Sequence, residues 1–207
     1  NLEVNQWWIS DEIRFGWKFV HDEARLHTPM HRIEAGHDPC GWDEAYRQIA
    51  DRLHQIVEAS GSGSLGLQVS PMLSCEDAFL LGRLALALDP QAILGVGPIP
   101  RVGQDQNFPG GYTVYAEKCP NARGVRRVLS GLTETVLDHQ QFLEAAVDTQ
   151  AILLTGNYPS QWVTDSTASL ISDKYTVLID TLPGRGLKSA DVVLPTATWA
   201  EKDGTFE

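Results

Sequence analysis

The sequence predicts an α/β fold: a doubly wound, mostly parallel sheet with helices on both faces, preceded by an aromatic-rich N-terminal extension. Three observations carry this. Short, continuous apolar runs recur at residues 65–69, 91–97, 151–154, 175–179 and 190–195, as expected of strands buried on both faces. Segments with helical periodicity separate them, and strands joined by helical crossovers run parallel. Loops rich in glycine, proline and hydroxyl residues follow the carboxyl ends of the strands. In open sheets of this kind the ligand crevice lies beyond those ends, which puts Thr155–Pro159, Asp180–Ser189 and Pro195–Glu207 along one edge.

Composition narrows the class. At 207 residues, 43% hydrophobic and 21% charged, the chain suits one globular domain or two small ones. A formal net charge of −11 repels a phosphate lattice and argues against a duplex nucleic-acid partner. No apolar run approaches the roughly 20 residues that cross a bilayer, and no secretory signal pattern is visible, so direct membrane insertion is not expected. Cys40, Cys75 and Cys119 lie far apart with no C-x-x-C among them. They are too few for a cluster held by about four thiolates, and read as reduced thiols of a cytoplasmic protein. The start at Asn1 and the stop at Glu207 are expected to be those of a piece of a longer protein.

Residues 1–40 form the extension, with Trp7, Trp8, Phe15, Trp17 and Phe19 set among charges. A short helix is expected over Asp11–Val20 with Ser10 as its cap, then an extended stretch from Leu26, because the residue before Pro29 avoids the helical region. The segment reads as one laid over the following domain and pinned by its aromatics. His27, His31, His37 and Cys40 are all competent zinc ligands. Pro29 nevertheless keeps the first two from sharing a helix face, and Pro39 adjoins the cysteine, so no metal is expected.

The main domain is expected over 41–207. Asp43–Ala59 places Ala45, Ile49, Leu53, Ile56 and Val57 on one helical stripe, and Ser60–Ser64 ends it as a glycine-containing link. Residues 65–97 form a βαβ unit. Its helix is capped by Ser74 with Asp77 in a near capping box, and is apolar nearly all round, so burial between layers is expected. A glycine- and proline-rich loop spans 98–118. Two short helices follow at Ala122–Ser130 and Leu137–Val147, the second capped from Glu134 or Thr135. The final sheet unit, 150–207, adds a helix over 160–171 with Ser160 as cap.

No chemistry-bearing motif stands out. There is no G-x-G-x-x-G, since Gly95-Val96-Gly97 runs into Pro98, and there is neither a P-loop nor a nucleophile elbow. Glu201 and Asp203, near the chain end, read as solvated rather than catalytic. The residues alone lead to an α/β domain with a dinucleotide-type crevice.

A resemblance goes further. Asn5-Gln6-Trp7-Trp8-Ile9-Ser10-Asp11-Glu12-Ile13-Arg14-Phe15, then Arg25-Leu26-His27-Thr28-Pro29-Met30-His31-Arg32, then Gly41-Trp42-Asp43-Glu44-Ala45 resemble successive segments of the large iron–sulfur (75-kDa) subunit of NADH-quinone oxidoreductase, respiratory complex I. Ala190-Asp191-Val192-Val193-Leu194-Pro195 and Glu201-Lys202-Asp203-Gly204-Thr205-Phe206 are similar to segments shared by the wider molybdopterin oxidoreductase family. Cys119-Pro120-Asn121-Ala122-Arg123-Gly124 resembles a further one.

The departures are informative. Where cluster-bearing members have a cysteine, this chain has Ser10, and a serine oxygen replaces thiolate poorly on iron. No iron–sulfur cluster is therefore expected. A middle lobe, which in active enzymes supplies the ligand to molybdenum, is expected to be missing. The resemblance implies cofactor contacts at Ser70, Gly156, Asn157, Asp180, Arg185 and Glu201 toward a molybdopterin guanine dinucleotide. Asp180 would accept from a guanine or ribose donor. Gly184-Arg185-Gly186 replaces the family's hydroxyls and acid, leaving either an arginine for a phosphate or a turn that sends Arg185 to solvent. The expected role is a non-catalytic scaffold among the other subunits of an electron-transfer complex, peripheral to the inner membrane through those subunits. The alternative is a shortened pterin-dinucleotide oxidoreductase completed by another chain, and a plain nucleotide-binding module using the Gly156 and Asp180 loops is a third.

Overall fold

A computed structural model describes residues 7–207. Asn5 and Gln6, which begin the first matched segment, lie outside the described residues. The chain runs α1 (Asp11–Phe15), β1 (Met30–Ile33), β2 (Gly36–Pro39), α2 (Trp42–Ser60), β3 (Leu65–Val69), α3 (Cys75–Leu88), β4 (Ile93–Val96), β5 (Gln106–Asn107), β6 (Thr113–Val114), α4 (Ala122–Ser130), α5 (His139–Ala145), β7 (Ala151–Thr155), α6 (Asp165–Ile171), β8 (Tyr175–Asp180) and β9 (Val192–Pro195). Seven strands make one sheet in the order β2-β1-β9-β8-β7-β3-β4. The five from β9 to β4 are parallel, while β1 pairs antiparallel to both β9 and β2. The chain winds outward from β3 to β4, then returns to β7 on the other side of β3. That reversal is the topological switch point.

The alternation of side chains along each strand builds two cores. Leu65, Leu67, Val69, Ala151, Leu153 and Val177 face a layer containing Ala45, Leu53 and Ile56 of α2, Ala78 and Ala85 of α3, and Val125 and Leu129 of α4. Ile152, Leu154, Leu178 and Val193 face Phe142 of α5 and Ile171 of α6 on the opposite side. Phe142 needs the two glycines beneath it. A Cβ on Gly95 would stand 2.8 Å from the Phe142 Cβ, and one on Gly66 3.2 Å from its ring. The doubly wound, mostly parallel sheet is thus borne out, with Leu154 beside Leu178 and Ile179 beside Leu194 in parallel register.

Several boundaries differ from expectation, each for a local reason. The helix expected over 160–171 begins only at Asp165, because the Thr164 hydroxyl, not that of Ser160, accepts from the Thr167 amide. The α5 helix starts at His139, where Asp138 and Gln141 form the capping box expected from Glu134 or Thr135. The Asp11–Val20 helix tightens into a 3₁₀ turn at Gly16–His21, burying Phe19 and Val20. Within the loop 98–118, β5 and β6 form a small hairpin, and Trp8 stacks on Tyr112 at 5.8 Å beside Phe108 at 5.3 Å. The α3 helix carries the expected Ser74 capping box but is not covered all round: Phe79, Leu80 and Leu84 face outward. The hairpin β1–β2 joins the sheet edge rather than lying over it. Leu26 donates its amide to the Thr181 carbonyl at 2.9 Å, just before that edge strand begins.

No group of three or more metal-ligating side chains converges among the described residues. His37 bonds the Ala190 carbonyl instead, at 2.8 Å, and Cys40, Cys75 and Cys119 are free thiols. No helix among the described residues is long and apolar enough to cross a membrane.

Candidate functional site: the carboxyl edge of the sheet

The switch point brings the ends of β3 and β7 together. The Ser70 amide donates to the Thr155 hydroxyl at 2.7 Å, and the Ser70 hydroxyl accepts from the Met72 amide at 3.1 Å. Gly156 follows β7 with its amide bonded to the Ile179 carbonyl at 2.8 Å. A glycine is required there, because a Cβ would sit 2.1 Å from the Asp180 Oδ2. Asn157 then takes a left-handed conformation, φ 74°, which asparagine tolerates better than most side chains.

That backbone turn aims the Asn157 amide at Asp180, 2.8 Å from Oδ1. The Thr181 amide donates to the same oxygen at 2.7 Å, and the Trp162 indole N–H to Oδ2 at 2.7 Å. A carboxylate has about four acceptor sites, and three are used by these donors within the chain. Burial pushes the Asp180 carboxyl above its ordinary range, and these donors offset only part of that rise. The Asn157 side chain is also engaged, accepting from the Thr181 hydroxyl at 2.5 Å and donating to the Ala197 carbonyl at 3.1 Å.

Tyr158 closes the crevice from above. Its ring is 2% exposed and stacks on Trp162 at 5.2 Å, while its hydroxyl donates to the Pro98 carbonyl at 2.7 Å. Because Pro98 follows β4 and Tyr158 follows β7, the phenol crosses over the end of β3 between them. Burial raises the Tyr158 pKa well above its usual value, so the group remains a neutral donor.

The expected contact residues fall into two groups. Ser70, Gly156, Asn157 and Asp180 meet at the switch point, as the sheet topology implies. Arg185 does not join them. It opens a 3₁₀ turn, its amide bonds the Gln161 side chain at 3.0 Å, and its guanidinium pairs with Asp165 at the exposed start of α6. This is the turn that sends the arginine outward. Glu201 stays exposed, as expected, but it is not free. It receives both Arg25 guanidinium nitrogens at 2.8 and 2.7 Å, and accepts from the Thr198 amide and hydroxyl at 2.8 and 3.0 Å. Those bonds, the Arg25 pair foremost, hold its pKa down to about 2. Tyr158 and Trp162, which do most to close the crevice, are not among the residues that sequence reasoning singles out. The available signal is two aromatics four residues apart in a polar segment.

The guanine or ribose end of a pterin dinucleotide would need free acceptors on Asp180 and a free amide on Asn157. Oδ1 already accepts two amides, the Asn157 amide is one of them, and the Trp162 indole stands on Oδ2 where a ligand donor would stand. As arranged, these residues do not fit the group.

Comparison with known proteins finds a family match over part of the chain. Residues 25–125 match molybdopterin oxidoreductase. The chain is 34% identical over 93 residues to an NADH-quinone oxidoreductase subunit of Streptomyces coelicolor, a match covering 44% of this chain and 10% of that protein. It is 36% identical over 86 residues to NADH-quinone oxidoreductase subunit 3 of Thermus thermophilus, covering 42% and 10% respectively. A putative formate dehydrogenase of Bacillus subtilis is 33% identical over 72 residues, covering 35% and 7%. The chain therefore spans a small part of the length of the curated relatives it matches. The resemblance read from sequence holds at the level of the molybdopterin oxidoreductase family, with NADH-quinone oxidoreductase subunits among the relatives. The matched residues include β3, α3 and β4 but end before β7, so half of the switch point lies beyond them.

Proposed function

We propose that this chain, which carries a molybdopterin oxidoreductase match over residues 25–125, is a non-catalytic scaffold domain of a protein of the same type as the large iron–sulfur subunit of NADH-quinone oxidoreductase. It would pack among the other subunits of an electron-transfer complex, in the cytoplasm and peripheral to the inner membrane through those subunits. One observation carries the reading: the Asp180 carboxylate accepts from the Asn157 and Thr181 amides and the Trp162 indole, all within the chain. A crevice organised this way stabilises the fold and leaves little of the carboxylate to orient a cofactor. The relatives named as NADH-quinone oxidoreductase subunits support the assembly role. So do outward aromatics such as Trp7 (88% exposed), Phe15 (60%) and Trp17 (46%), since aromatic side chains are enriched in subunit interfaces.

The test is elemental analysis of protein expressed in a host with an intact molybdenum cofactor pathway, with a thermal-shift series against guanine nucleotides. Molybdenum and tungsten far below stoichiometric, and no shift at millimolar nucleotide, are expected. Stoichiometric metal would overturn the scaffold reading in favour of the shortened oxidoreductase, and a nucleotide-dependent shift without metal would favour the nucleotide-binding module.

A further inference from the structure

The opposite, amino edge of the sheet carries a cavity of about 510 Å³ between the start of β8, the start of β9, strand β1, the outer face of α2 and the α6–β8 turn. Its lining includes three cations, Arg32, Arg52 and Lys174, against two carboxylates, Asp173 and Asp191. That is a local surplus of one positive charge on a chain of net charge −11.

The internal hydrogen bonds there leave donors over. Lys174 is used by the Val147 and Thr149 carbonyls at 2.6 and 2.8 Å. Asp191 accepts from the Thr176 amide at 2.8 Å and lies 3.7 Å from Arg32 Nε. Arg32 donates through Nε to Ala190 at 3.1 Å and through one terminal nitrogen to Lys188 at 3.2 Å. Its other terminal nitrogen, Nη1, has no hydrogen-bond partner among the described residues. Arg52 has none either, and its guanidinium stands 5.9 Å over the Tyr175 ring. The Tyr175 hydroxyl is buried without a partner among the described residues. A buried hydroxyl left unpaired is an expensive arrangement, but it lies out of reach of the cavity. The two arginine groups left over are donors, and a ligand with several acceptor oxygens would satisfy them together.

We propose that this cavity binds a tetrahedral phosphate group, inorganic or as a phosphate monoester, held by the Arg52 guanidinium and the free terminal nitrogen of Arg32. The unpaired Arg52 fork suits a phosphate's geometry better than a single point charge does. The site lies across the sheet from the crevice, so it stands or falls independently of the scaffold reading.

Isothermal titration with inorganic phosphate, and separately with glycerol phosphate as a monoester, tests it on the whole chain. Saturable binding at a single site is expected, with the tighter of the two probes identifying the source. Arg52→Gln should weaken binding about tenfold, the factor attached to losing one hydrogen bond to a charged group, whereas Tyr175→Phe, whose buried hydroxyl the ligand does not reach, should leave it unchanged. Arg52 lies on the exposed side of α2, and Tyr175→Phe removes only an unpaired hydroxyl. Neither should lower the melting temperature, and Tyr175→Phe should raise it. The proposal fails if neither probe binds saturably, or if Arg52→Gln binds as the parent does while remaining folded.

Discussion

The two edges of the sheet handle polar groups in opposite ways. At the carboxyl edge, Asp180, Asn157, Thr181, Trp162 and Tyr158 satisfy one another and the site is closed. At the amino edge, Arg32 and Arg52 face a cavity with donors to spare. The fold makes the carboxyl edge the usual place for a ligand, yet here the usual place is filled with side chains. Position in a fold nominates a site; only the local balance of donors and acceptors says whether it is available.

A second contrast lies in two aspartates. Asp89, where α3 turns toward β4, accepts from the Ser62 hydroxyl and the Gly63, Leu65 and Gln91 amides. Both it and Asp180 are shielded from water, at 0% and 3% exposure. Their pKa values nonetheless move in opposite directions. Burial raises Asp89 but its donors more than offset this, leaving the group below the ordinary carboxylate range. For Asp180 burial wins. The neighbours explain the difference: Ser62 and Gln91 are exposed, so solvent lies one layer from Asp89, whereas Gly156, Asn157, Tyr158 and Thr181 around Asp180 are all buried.

Breaking the closed edge should have the largest effect. Gly156→Ala drives a methyl into the Asp180 carboxyl and should destabilise the chain by about 3 kcal/mol or more, by overpacking and by breaking the Asp180 bonds together. Chemical denaturation would show it as a lower midpoint. Tyr158→Phe removes the bond to Pro98 and leaves the half-buried carbonyl unpaired, at about 1 kcal/mol. The same variant separates the edges, since phosphate binding across the sheet should be unchanged.

The aspartates give the pH arm. Asp89 is depressed in the folded state, so its stabilisation is present above the unfolded value of about 3.9 and is lost as pH falls through the folded value. Asp180 is raised, so its contribution is full below the unfolded value and is lost as pH rises through the folded one. Stability measured from pH 2 to 8 should therefore lose part of its acid limb in Asp89→Asn and part of its decline above about pH 4 in Asp180→Asn. Parallel profiles for the two variants would break the contrast. Smallest of all, Arg185→Ala removes an ion pair whose side chains are 57% and 95% exposed and should change stability by no more than about 0.5 kcal/mol.

Much of the fold is legible in the sequence because hydrophobic period is a local property. The β3–α3–β4 unit, the Ser74 cap and the parallel register of β7, β8 and β9 follow from runs of apolar residues and a capping pair. The start of α6 is not legible, because Ser160 and Thr164 are both sound caps and the sequence holds nothing that chooses between them. The site is half legible. Topology places Gly156, Asn157 and Asp180, whereas the bonds from Trp162 to Asp180 and from Tyr158 to Pro98 span 18 and 60 residues.

By itself, then, the sequence determined the layers, the strand directions and the edge where family relatives would be read. Tertiary structure alone decided that this edge is satisfied from within and that Arg52 and Tyr175, 123 residues apart, share an open cavity. The reason is physical. Periodicity is written in neighbouring residues, but the saturation of a carboxylate depends on donors that meet only when distant loops pack together.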